Sequence, residues 1–213
     1  MIMPRLGINL EQYFEAMHNV VPEVSVYSLG IKILTLLECV HETGFVFNDL
    51  KLDNLMIGYS DELPVGKPLA PGVTISESTD IFEKCTINLV DYGFASPYLD
   101  KTTGHHIPKE EVETFRGNMI FASLNQLNFK VTSRRDDLIS LCYLLIYMLN
   151  RANLPGIDLT RRYDRNQSFK QARTAKLGYT LDSLCDGKAA SMKDIVQEVF
   201  TLGFQEQPKY KLV

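Results

Sequence analysis

Two stretches of apolar residues at helical spacing set the terms on which this chain can fold. From Ser25 to about His41, Leu29, Ile33, Leu36, Leu37 and Val40 recur at i, i+4, i+7, i+8 and i+11, which lines one face of a long buried helix. Gly44 marks its end. The second stretch runs from Arg135 to Leu149 and places Leu138, Leu141, Cys142, Leu145 and Met148 on one face. With 213 residues and 45% hydrophobic content, the chain has enough apolar material for one buried core around these helices.

The sequence around them is more irregular. Pro4 and Gly7 punctuate the start before Leu10, Tyr13, Phe14 and Met17 take up helical spacing. Phe45 to Gly58 mixes short apolar pieces with Asn and Asp, the pattern of a loop followed by a small hairpin. Tyr59 to Thr86 carries Pro64, Gly66, Pro68, Pro71 and Gly72, which predicts a long exposed loop. Ile87 to Val90 reads as a short strand ending at Asp91. Further helices are expected near Ser168 to Lys176 and Ser191 to Leu202, the latter ended by Gly203. The fold class is therefore mainly α with small β-hairpins.

Charge and cysteine usage restrict the partners. The formal net charge of −4, from 22 basic and 26 acidic residues, gives no general attraction to nucleic acid or to an anionic membrane. No apolar run is read as approaching the ~20 residues of a spanning helix, so membrane insertion is not expected. Cys39, Cys85, Cys142 and Cys185 are scattered without a C-x-x-C pair, and Cys39 and Cys142 fall inside apolar helical patterns. Reduced thiols in a cytoplasmic or nuclear protein are the expectation. His105 and His106 adjoin in a polar loop and read as exposed side chains rather than metal ligands.

The residue types that carry chemistry lie in FNDLKLDN and LVDYG. Asp49 and Lys51 are two apart and Asn54 follows Asp49 at five, close enough for one tight loop to present all three. A carboxylate can orient a hydroxyl proton, a lysine can neutralise a phosphoryl group, and an amide oxygen can hold a metal. Asp and Asn are also common turn residues. The second string favours the chemical reading, because Asp91 ends a strand and Gly93 permits the bend that exposes its carboxylate.

FNDLKLDN stands where protein kinases carry H-R-D-x-K-x-x-N, and DYG where they carry D-F-G. The chain resembles the casein kinase 1 group in particular, through TSRRDDLISLCYLLIYMLNRANLP, FASLNQ, MPRLGINLEQYF and LGFQEQPKY. The resemblance implies a protein-kinase-like fold, specifically a C-terminal helical lobe with the N-terminal lobe absent. It implies a hinge at 1–7, a catalytic loop at 45–58, an insertion at 59–86, a magnesium-binding DYG and activation segment at 91–124, a central helix at 135–149 and C-terminal helices at 168–213. Asp49 would be the catalytic base, Lys51 the phosphate-neutralising lysine, and Asn54 and Asp91 the Mg²⁺ ligands. Asp137 would hold the catalytic-loop backbone. Met3 to Leu6 would form the hinge holding the adenine of ATP, with Met56 beneath the ring. A protein substrate would supply the accepting hydroxyl.

Three departures weigh against simple transfer of the activity. The chain begins at the hinge and lacks the Gly-rich loop, strand lysine and helix glutamate that close over ATP, so the 213 residues alone are expected to bind Mg-ATP weakly or not at all. Phe47 and Asn48 replace the usual His and Arg, which removes the charge that would hold a phosphorylated activation segment. The basic positions that serve priming phosphates in the casein kinase 1 group are here Asn48, Ser96, Glu113 and Ile120. A phosphorylated substrate residue is accordingly expected to add nothing. These departures support an alternative: a catalytically inactive, pseudokinase-like scaffold acting through a protein partner.

Overall fold

A computed structural model describes residues 6–58 and 76–211. It is mainly helical with small antiparallel sheets. Helix α1 (Leu10–Ala16) opens with a capping box, in which Asn9 accepts from the Gln12 amide and the Gln12 side chain accepts from the Asn9 amide. Met3, placed at the hinge by the sequence reading, lies outside the described residues.

Helix α2 (Glu23–Glu42) extends two residues beyond the expected start and buries Val26, Leu29, Ile33, Leu34, Leu37 and Val40. By length and composition it is apolar enough to cross a membrane, with a mean hydropathy of 1.4, which corrects the expectation that no run approaches that length. Half of that window is buried within the protein, because α2 packs along helix α4 (Arg134–Leu149). Cys39 is exposed, contrary to its place in the apolar pattern. The stripe at Ile33, Leu37 and Val40 turns the Cys39 position toward solvent.

Helix α4 differs from expectation more strongly. Every residue from Asp136 to Leu149 is buried, so the anticipated single apolar face is an apolar circumference. Neighbours surround it: α2 on one flank, helix α7 (Lys193–Thr201) and the preceding 3-10 turn (Gly187–Met192) on another. Phe14 of α1 reaches Tyr147 at 6.0 Å between ring centroids. An apolar cavity of about 290 Å³ remains between α2 and α4, lined in part by Gly30, Leu34, Leu141, Cys142 and Leu145. Burial raises the Cys142 thiol to about 12, which keeps it an unreactive hydrophobe.

Two small sheets sit beside this helical core. Strand β1 (Phe45–Val46) pairs antiparallel with β4 (Ser96–Pro97), and β2 (Leu55–Ile57) with β3 (Ile87–Leu89). The small hairpin expected within Phe45 to Gly58 is not formed there: β1 and β2 each find a partner beyond the long insertion, β2 in the short strand expected at Ile87 to Val90. Residues 59–75 of that insertion lie outside the described residues. The remainder is exposed at Ser76 to Thr79, Glu83, Lys84 and Thr86, as expected of a loop, but it buries Phe82 and Cys85 in the core. The Ser25 hydroxyl secures this stretch by donating to the Thr79 carbonyl and accepting from the Ile81 amide. The last helices are α5 (Arg165–Leu177), α6 (Leu181–Leu184) and α7, which follow the 4-residue α3 (Leu124–Leu127) and α4.

Candidate functional site

The loop between β1 and β2 is built by backbone demands that its sequence meets. Asn48 adopts φ +69°, a left-handed conformation that Asn tolerates better than most residues. Its carbonyl and the two amides around it then need partners away from regular structure. Asp137, at the start of α4, supplies two of them: Oδ2 accepts from the Phe47 amide at 2.7 Å and Oδ1 from the Asn48 amide at 2.8 Å. This is the contact with the loop backbone that the resemblance implied for Asp137. The same carboxylate lies 2.8 Å from His41 Nε2, and His41 Nδ1 lies 2.6 Å from the Tyr210 hydroxyl. The carboxylate takes the proton-bearing Nε2, leaving Nδ1 to accept from tyrosine. His41 and Tyr210 were invisible as partners in the sequence, being 96 and 73 residues from Asp137.

Asn48 itself is a hub. Its Nδ2 donates to the Phe94 carbonyl and the Ser96 hydroxyl, its Oδ1 accepts from Thr132 Oγ1, and its carbonyl accepts from Gln126 Nε2. Every side-chain donor position is satisfied without a charge. Gln126 also donates to the Arg116 carbonyl, fastening the segment that follows the DYG string to the loop. Gly117 lies between them at φ +106°, where a Cβ would come within 2.3 Å of the Asn48 carbonyl oxygen. Only glycine fits there.

The loop brings Asp49, Lys51 and Asn54 together. Asn54 Nδ2 donates to both the Asp49 carbonyl and Asp49 Oδ2 at 2.9 Å, and Lys51 Nζ lies 3.4 Å from the same Oδ2. Burial pushes the Asp49 carboxyl above its ordinary pKa, and Lys51 and Asn54 offset part of that rise. Asp91 contributes a like charge that raises it further. Asp91 is exposed at φ +62° and ψ +73°, and its Oδ1 accepts from the Gly93 amide at 3.2 Å. Tyr92 packs edge-on against Phe47, with ring centroids 5.3 Å apart.

Asn54 directs its amide nitrogen at Asp49, which leaves its oxygen on the opposite side of the group. That oxygen and the exposed Asp91 carboxylate are hard donors of the kind that suit Mg²⁺. Among the described residues no group of three His, Cys, Asp or Glu side chains could hold a metal, so a cation here would take few protein ligands. Met56 sits in β2, half-buried, across from Asn88 and bridged to Asn9. Leu6 immediately precedes Gly7, whose amide donates to the Ile57 carbonyl. These contacts bring the two described adenine-site candidates to the same strand edge.

Side chains outside this loop also serve the structure, among them His106, which the sequence reading took as an exposed side chain. His106 lies 2.7 Å from Ser133 Oγ and packs on Phe204 at 4.7 Å. Arg134 donates to the Gln205 carbonyl and lies over Tyr98, and Arg135 donates to the Leu202 carbonyl. Lys176 was not singled out by sequence, yet its buried Nζ donates to the Met119, Ile120 and Ala122 carbonyls and lies 4.6 Å from the Tyr143 ring centre. Burial pulls its pKa down, whereas three carbonyl acceptors call for all three ammonium protons. A lysine near a helix end carries no sequence signal of such a role.

Two clefts border this arrangement. One, of about 380 Å³, is lined by Asn48, Ser96, Glu113, Arg116, Lys130 and Thr132 among others. It gathers Asn48, Ser96 and Glu113, three of the four positions that the resemblance singled out, and Lys130 there is paired with Glu111. The other, of about 650 Å³, runs from Asp49, Lys51 and Phe94 past Gly117 to Ile120 to the residues around Arg161. No family model matches the chain.

Proposed function

We propose that the chain forms the substrate-binding, helical lobe of a casein kinase 1-like Ser/Thr phosphotransferase. The reading rests above all on Asp49, which is buried at the mouth of a cleft, hydrogen-bonded by Asn54 and paired with Lys51. A carboxylate so oriented accepts or directs the proton of an incoming hydroxyl, and the neighbouring lysine opposes charge on a transferred phosphoryl group. Asn54 and Asp91 would hold Mg²⁺, which neutralises nucleotide phosphate charge when bound. Leu6 and Met56 are the described candidates for contact with adenine, with Met3 as the third.

The neutral Asn48 network supports a segment that is ordered without phosphorylation, since Phe94, Ser96, Thr132 and Gln126 are already bonded to it. A scaffold of kinase ancestry is the second reading. It is favoured by the exposed Tyr92 and Phe94 at the edge of the site, 51% and 41% accessible, which would suit a partner surface. Transfer of radiolabelled phosphate from Mg-ATP to a hydroxyl-bearing protein, measured with the full-length gene product containing this chain, separates them. Transfer that falls at least about a hundredfold in both Asp49→Asn and Asp91→Asn supports the enzyme. Absence of transfer, or transfer indifferent to both changes, supports the scaffold.

A further inference from the structure

Lys176 is a cation in a place that offers it no counter-ion. It is 4% accessible, and among the described residues no carboxylate lies within ion-pair distance of it. Burial works against such a charge. What meets it instead is backbone. Nζ lies 3.1 Å from the Met119 carbonyl oxygen, 2.7 Å from that of Ile120 and 2.6 Å from that of Ala122, so each ammonium proton has an acceptor. The Tyr143 ring offers its face 4.6 Å away.

Three carbonyls from four successive residues turn to one point only if the chain curls around it. The amides of that curl are held by Asn118: its Oδ1 accepts from the Ile120 amide at 2.8 Å and the Phe121 amide at 3.0 Å, and its carbonyl accepts from the Ala122 amide. The strip from Asn118 to Ala122 belongs to no helix or strand, so its backbone groups depend on these partners. Asn118, Met119 and Ile120 line the cleft that opens on Asp49, as does Ala172, one turn before Lys176 on α5. Just ahead of the strip, Gly117 closes on the Asn48 carbonyl and Gln126 joins Arg116 to the same loop. One end of the strip is therefore fixed to the loop that carries Asp49, and the other to α5 through Lys176.

We propose that Lys176 is a positioning residue: its ammonium holds the Met119 to Ala122 strip in the shape that receives a peptide beside Asp49. The peptide rests on the phosphotransferase reading above; the clamp itself rests on the contacts of Nζ. Methionine at this position would match the lysine stem but give the three carbonyls no donor. Arginine would keep the charge but bring a broad, planar group to a pocket sized for an ammonium.

Two readouts on the full-length gene product test this: kinetics of phosphate transfer from Mg-ATP to a fluorescein-labelled serine peptide, and amide hydrogen exchange. K176M should raise KM for the peptide about tenfold or more while kcat stays within about threefold. The Ile120, Phe121 and Ala122 amides should exchange at least about tenfold faster, with the Phe47 and Asn48 amides as protected as before. K176R keeps the charge and should still raise KM by about threefold or more, though less than K176M; it decides the matter if the neutral variant does not fold. An unchanged KM in either variant, or a loss of kcat accompanied by faster exchange at Phe47 and Asn48, overturns the proposal, because general packing would give that result. If the protein transfers no phosphate, the enzymatic reading falls alone and binding of the same peptide is followed by fluorescence anisotropy. Binding weakened about tenfold in K176M then sustains the clamp, and equal binding, or binding by neither protein, overturns it.

Discussion

Two loops face one cleft and are made by opposite means. The Asn48 to Asn54 loop is held by buried contacts from four separate parts of the chain, through Asp137, Gln126, Thr132 and the Phe94 to Ser96 segment. The Asp158 to Arg165 loop is exposed and held locally, by the Asp158 turn and the Asp164 cap that accepts from the Gln167 amide. On the proposed phosphotransferase reading, the contrast fits the tasks. A group that must meet a reacting atom needs fixed geometry, whereas solvated guanidinium groups can recruit charge while remaining mobile.

Substitutions can break this contrast, beginning with the strongest. Asp137→Ala should cost about 3–5 kcal/mol, because it strips the Phe47 and Asn48 amides and His41 of a buried acceptor. Urea unfolding measures it, and a loss below about 1 kcal/mol would show that the loop is held otherwise. Asp49→Asn should act in the other direction and more weakly. A carboxyl whose pKa is raised by burial contributes its stability below the unfolded value and loses it as pH rises through the folded value. The ionised Asp49 therefore costs stability at neutral pH. The variant should melt modestly higher than wild type at pH 7, with the gain vanishing below about pH 4. A pH-independent difference would place the effect elsewhere. The smallest effect belongs to the other loop: each of Arg161, Arg162 and Arg165 changed to Ala should alter stability by no more than about 0.5 kcal/mol. A larger loss in thermal unfolding would mean that those arginines hold structure.

The same contrast governs what the sequence makes legible. Helices α2 and α4 announce themselves because their core-facing residues recur locally, and the loop strings show because Asp, Lys and Asn cluster within a few positions. What escapes is supplied from far along the chain. Phe82 looks like part of a polar insertion until Ser25 is seen to pin that stretch. His106 and Lys176 look solvated until distant partners enclose them. The burial of α4 on all sides depends on α1, α2 and α7 arriving together, which no period within α4 encodes. Arg161, Arg162 and Arg165 could have been noticed as a short basic run, but only the fold sets that run across from Asp49.

The central claim is that Asn54 and Asp91 form the metal-holding edge of a site whose reacting edge is Asp49. Paramagnetic broadening by dilute Mn²⁺ in an amide and side-chain NMR spectrum tests it without requiring nucleotide. The account predicts selective broadening of the Asn54 side-chain amide and the Gly93 amide, reversed by excess Mg²⁺ and abolished by Asp91→Asn. Broadening centred on other carboxylates, or unchanged in Asp91→Asn, would contradict it.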